Sequence, residues 1–156
     1  MNKAEVSSDE INVLLIGNNP IEMSNVLEKL NQVRGKKIIT EIAFDLRSIV
    51  QRLLKFDPAF ILIDDNIGPT GLKETVQVLL HNTKTKDVPI TVLKNSNYDE
   101  SWASSSILDY ILKQNLSSDT LYSTVKNSFK FRRTQRYLQQ SYQKRKEQLF
   151  NLMGKV

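Results

Sequence analysis

The sequence predicts a doubly wound α/β domain with a long C-terminal helical extension, and three observations carry that reading. Apolar runs of strand length, "INVLLIG", "KIITEIAF", "AFILI", "VPITVL" and "DYIL", recur along the first 112 residues. Stretches with apolar residues at helical spacing separate them, as in a sheet whose parallel strands are joined by crossover helices. The charge also changes sign along the chain: residues 1–125 carry 13 Lys and Arg against 16 Asp and Glu, whereas residues 126–156 carry 9 against 1. The overall charge of +5 therefore belongs to the tail.

Each element follows from its own pattern. "INVLLIG" is almost continuously apolar, as expected of a strand covered on both faces, and runs into the turn formers "GNNP". Met23, Val26, Leu27, Leu30 and Val33 then make a helical stripe, with Gly35 available as a stop. After the β-branched second strand, Asp45 can cap a helix carrying Leu46, Ile49, Val50, Leu53 and Leu54, which ends before Pro58. The third strand ends at "DDNIGPTG", and Leu72, Val76, Leu79 and Leu80 mark the next helix. Between strands four and five, "KNSNYDESWASSSIL" is irregular, with Trp102, Ala103 and Ile107 as core candidates, and a short helix is expected there. Ser117 or Ser118 caps the last helix, which carries Leu121, Val125 and Phe129 and meets no breaker before Gly154.

Bulk properties narrow the function classes. A chain of 156 residues with 40% hydrophobic content suits one domain plus an appendage. No apolar run reaches the roughly 20 residues of a membrane span, and the polar leader does not read as a signal peptide, so a cytoplasmic location and no membrane partner are expected. Without cysteine there is no thiolate metal site and no thiol nucleophile. The single histidine, His81, is expected at an exposed helix end and supports no hydrolase or oxidoreductase constellation.

In the flavodoxin-like strand order 2-1-3-4-5, the switch point between strands one and three brings "GNNP" beside "DDNIG". The predicted site is Gly17, Asn18, Asn19, Asp64, Asp65 and Asn66, with Lys94 and Lys113 supplied by strands four and five. A phosphate cradle at "GNNP" is disfavoured, because one glycine lacks the glycine-rich context of such loops.

Residues 11–133 resemble the receiver domain of two-component response regulators. "PAFILID" resembles the strand that ends in the phospho-acceptor aspartate, "DYILKQ" the fifth-strand signature, and "NLSSDTLYSTVKNSFKFRR" the last receiver helix. The resemblance implies Asp64 as the phospho-acceptor position, with Asp65 as the alternative, Lys113 as the conserved-lysine position, and Lys94 and Tyr110 as switch positions.

The departures point to a degenerate, pseudo-receiver-like module. Gly17 and Asn18 stand where receivers carry two acidic Mg²⁺ ligands, Lys94 replaces the usual hydroxyl residue, and Gln114 the usual proline; Asp65 and Asn66 complete the altered pocket. A unit charge pair at 4 Å is worth about 4 kcal/mol at an effective dielectric of about 20, so each carboxylate lost forfeits roughly 8 kcal/mol of gross attraction to a divalent ion. Mg²⁺ leans on such ligands. No cofactor is therefore expected, with Mg²⁺ only if phosphorylation is retained, and Lys94 is expected to join Lys113 against Asp64 or Asp65. The alternative is a working response regulator that accepts phosphate on Asp64 from a histidine kinase.

The tail, residues 134–156 after a leader of 1–10 and the receiver-like 11–133, reads as a basic helical extension. Phe131, Leu138, Tyr142, Leu149 and Leu152 form a heptad-like seam interrupted by Arg145, suited to a homodimer or a partner helix. A module that only presents this helix for dimerisation is a further reading. Nucleic-acid binding is disfavoured despite "KFRRTQRY", since no known DNA-binding module fits the remaining residues. The partners expected are a histidine kinase or another signalling protein. The chain is read as a non-enzyme, with at most the phospho-acceptor and autophosphatase chemistry of a receiver.

Overall fold

The computed structural model describes residues 10–95 and 106–154. Trp102, Ala103, the short helix expected around them, and the leader before Glu10 lie outside the described residues.

Five strands, β1 (Glu10–Ile16), β2 (Lys37–Ala43), β3 (Phe60–Asp64), β4 (Ile90–Lys94) and β5 (Ile107–Leu112), form one sheet in the order β2-β1-β3-β4-β5. Every neighbouring pair is parallel. This is the predicted flavodoxin-like order. Glu10 opens β1 rather than ending the leader, and β5 starts two residues before "DYIL" because Ile107 pairs with Ile90 ahead of an irregularity at Ile90/Thr91.

Alternation along the central strands divides the core between the two faces. Val13 and Leu15 of β1 join Phe60 and Leu62 of β3 on one face, against Met23, Val26 and Leu30 of α1 (Pro20–Asn31) and Leu121 and Val125 of α4 (Ser118–Met153). Leu14, Ile16, Ile61 and Ile63 take the other face, against Ile49 and Leu53 of α2 (Leu46–Leu53) and Leu72, Val76 and Leu79 of α3 (Gly68–Leu80). Val50 and Leu54, assigned to the α2 stripe by spacing, are instead exposed. An eight-residue helix offers the sheet only a narrow face.

Capping follows the sequence closely. Asn19 Oδ1 accepts from the Ile21 and Glu22 amides at 3.1 and 3.2 Å, fixing the first turn of α1 directly after β1. Asp45 and Ser48 form a reciprocal capping box on α2, and Ser117 caps α4. The boundary expected at 133/134 falls inside α4, which runs unbroken for 36 residues. Its buried residues, Leu121, Thr124, Val125 and Ser128, all lie in its first third. No described helix is long and apolar enough to cross a membrane.

Candidate functional site

The C-terminal ends of β1, β3 and β5 converge on an acidic pocket. Asp64 is the last residue of β3 and is 1% exposed. Its Oδ1 accepts from the Asn66 amide at 2.9 Å, capping the 3-10 turn Asp65–Ile67. That turn reaches Gly68, the first residue of α3, at φ 83°, a left-handed conformation glycine adopts without strain, and Pro69 follows in the first turn of that helix.

Lys113 follows β5 and brings its ammonium back into the pocket. Its Nζ lies 2.6 Å from Asp64 Oδ1, 2.9 Å from Glu22 Oε2 and 3.9 Å from Asp65 Oδ1. Asn66 Nδ2 also donates to Glu22 Oε2, while Asn66 Oδ1 accepts from Asn95 Nδ2 at 2.6 Å. Asp65 Oδ2 accepts from the Asn95 amide at 3.2 Å, and Asn18 Nδ2 donates to the Asn66 carbonyl at 3.3 Å. Two carboxylate oxygens, Asp64 Oδ2 and Asp65 Oδ1, are buried without a hydrogen-bond partner among the described residues.

The protonation equilibria follow from this packing. Burial pushes the Asp64 carboxyl above its ordinary value, and the hydrogen bonds from Lys113 and the Asn66 amide offset only part of that rise. Burial alone would lower Lys113; its hydrogen bonds to Asp64 and Glu22, with their charges, outweigh burial and raise it. The ammonium is thus held charged against two carboxylates.

Of the expected site residues, Asn18, Asp64, Asp65, Asn66 and Lys113 meet here, with Gly17 forming the wall beside Asp64. A Cβ on Gly17 would lie 2.4 Å from Met23 Sδ and 3.0 Å from Asp64 Cβ, so the space a side chain would need is already filled. Asn19 serves as the α1 cap. Lys94, expected against the carboxylates, has its Nζ 5.1 Å from the centroid of the Tyr110 ring, so the two residues expected at switch positions lie together. The ion pairs of Asp64 and Asp65 among the described residues are made by Lys113. His81 is exposed, as expected.

Glu22 was not among the expected residues. Its spacing from Asn19, Asn-Pro-Ile-Glu, is that of a capping box, which suggests a purely local role. Its amide does bond the cap, but its carboxylate turns to Lys113. A carboxylate one turn inside the helix, facing the vacated end of β1, is the signal that could have revealed it.

Among solved structures, the chain is similar to a sensor protein from Polaromonas sp. JS666, with TM-score 0.66 and 12% identity over 78% of this chain and 98% of that one. The receiver domain of a sensor histidine kinase from Pseudomonas aeruginosa PAO1, which holds a magnesium ion in its active-site cleft, matches with TM-score 0.63 and 16% identity over 76% and 97%. A chemotaxis response regulator of Vibrio cholerae matches with TM-score 0.60 and 20% identity over 76% and 98%. The chain has the response-regulator receiver fold. No protein-family model matches the sequence, and no curated relative does.

Mg²⁺ binding would ask more of this receiver fold than its pocket offers. The two orphaned carboxylate oxygens could accept a hard cation. Against them stand the Lys113 ammonium on Asp64 and a β1 end that supplies only Gly17 and Asn18. The three acids that converge here, Glu22, Asp64 and Asp65, are gathered on that ammonium rather than around a space for an ion. This donor set does not fit Mg²⁺, which needs near-octahedral oxygen ligation.

Proposed function

We propose that this chain is a degenerate receiver-type signalling module that acts through protein–protein interaction, its pocket neutralised by Lys113 in place of a metal ion. Asp64 occupies the phospho-acceptor position, Lys113 the lysine position, and Lys94 with Tyr110 the switch. Residues 11–133 form the receiver unit and 134–156 its helical extension. The partner is a histidine kinase or another signalling protein.

The observation that carries this reading is the bridge from Lys113 to Asp64 and Glu22 across a β1 end without carboxylates. An ammonium already paired twice supplies one positive charge where a metal-dependent receiver needs several. Metal ions are central to stabilising phosphoryl transfer, so the chemistry loses its main electrostatic support.

One feature favours a second reading, a working response regulator. Asp64 Oδ2 has no hydrogen-bond partner among the described residues and is the oxygen that could attack a phosphoryl group. Incubation with a small phosphodonor and Mg²⁺, followed by intact mass and acid-lability measurements, separates the two. The proposed module gives no stoichiometric adduct; an acid-labile adduct that disappears in Asp64→Asn establishes the regulator instead.

A further inference from the structure

Beyond Ser128, no residue of α4 is buried, and five of its exposed apolar side chains share one stripe, with Tyr137, Phe150 and Met153 outside it. Phe131, Leu138, Tyr142, Leu149 and Leu152 are between 51% and 68% exposed. At 3.6 residues per turn they fall within an arc of about 80°, with Arg145 inside it. Such a seam is unfavourable in water, and an isolated helix of this composition gains its stability from packing. An apolar cover would remove that cost.

Charge selects the kind of cover. In heptad terms, Gln135, Tyr142 and Leu149 take a positions and Phe131, Leu138, Arg145 and Leu152 take d positions. The flanking e positions hold Arg132, Gln139, Lys146 and Met153 and the g positions Thr134, Ser141 and Gln148, without one carboxylate. Glu147, the single acid in residues 126–156, lies on the far side. Arg132 is already paired with Asp87; two copies paired in parallel would set Arg145 against Arg145 in the seam, and in either orientation Lys146 would meet no acid on the other copy's flanks. A membrane surface is also a poor match, because Arg145 sits inside the apolar stripe and the other basic residues surround the helix rather than line its opposite face.

We propose that the exposed half of α4 docks an acidic amphipathic helix of a different protein, one with an apolar seam and Glu or Asp on its flanks. Flanking charges set partner choice in coiled coils, and this face is complementary to an acidic helix and not to itself. Near its start the seam adjoins a groove of about 300 Å³ lined by Leu80, Val88, Phe131, Gln135 and Gln139, which can seat the end of the incoming helix. Arg132, paired with Asp87 at 3.4 Å, ties α4 to the domain at that point. The inference rests on α4 alone and stands whatever the state of the acidic pocket.

The test uses the full chain and two labelled synthetic helices with Leu at a and d, one carrying Glu and one Lys at e and g. Fluorescence anisotropy should show binding of the Glu helix, at least tenfold weaker for the Lys helix. Leu138→Ser/Leu149→Ser, which keeps every charge, and Arg145→Glu/Lys146→Glu should each weaken binding at least tenfold with unchanged far-ultraviolet circular dichroism. Light scattering should give a monomer mass for the chain alone. Equal binding of both helices, no binding of either, retained binding by the Leu variant, or a dimer dispersed by that variant would each overturn the proposal. Binding to anionic vesicles without binding of the Glu helix would overturn it too.

Discussion

The Lys113 ammonium lies 2.9 Å from the Glu22 carboxylate, joining the end of the last strand to the first turn of the first helix across 91 positions of sequence. The same ammonium is 2.6 Å from Asp64, so one cation holds two acids from two other elements. Removing it leaves Asp64 buried and uncompensated. Lys113→Met should therefore destabilise the fold by about 3–5 kcal/mol, as expected when one partner of a buried pair is removed. In urea denaturation, Lys113→Met/Asp64→Asn should recover much of that loss.

The pH dependence of stability has a definite sign on each limb. Lys113 binds its proton more tightly in the fold than in the unfolded chain, so its contribution is complete below the ordinary lysine value. It is lost as pH rises through the raised folded value. Asp64 is also raised, so the folded chain keeps that proton longer than the unfolded one. Its effect is that stability falls as pH rises from the ordinary carboxylate value to the raised one. Urea midpoints of the native chain and Asp64→Asn, compared across both limbs, should show the acid-side fall in the native chain alone.

Gly17 is closed in by its neighbours. A Cβ there meets Met23 Sδ at 2.4 Å, and Gly17→Ala should cost about 1–3 kcal/mol through overpacking. Met23→Ala in the same background should restore part of it, with a coupling of roughly 0.5–3 kcal/mol in a double-mutant cycle. Additive losses would show that the two sites do not compete for one space.

Asn19 sets the turn that presents Glu22. Asn19→Ala should lower stability by about 1 kcal/mol through loss of the cap. If the cap also positions Glu22, the variant should bring down the alkaline midpoint assigned to Lys113.

Strand order, element types and the meeting of Asp64 with Lys113 were legible in the sequence because each rests on a local pattern. Continuous apolar runs mark covered strands, and parallel topology then brings their ends together. Glu22 escaped because a side chain's direction at a helix start depends on what stands across the pocket. Lys94 was aimed at the carboxylates because it ends β4, whereas its ammonium lies over Tyr110 on the adjoining strand. Val50 and Leu54 mark the same limit: periodicity places residues on a helix, but the neighbouring sheet decides how wide a face is covered.

In the proposed module Lys113, and not a divalent ion, neutralises the acidic pocket. A Mg²⁺ titration followed by amide NMR shifts of Asp64, Asp65 and Asn66 tests it most directly. No saturable shift is expected at millimolar Mg²⁺; a saturable shift at these three amides, abolished by Asp64→Asn, would show that the pocket takes the ion instead.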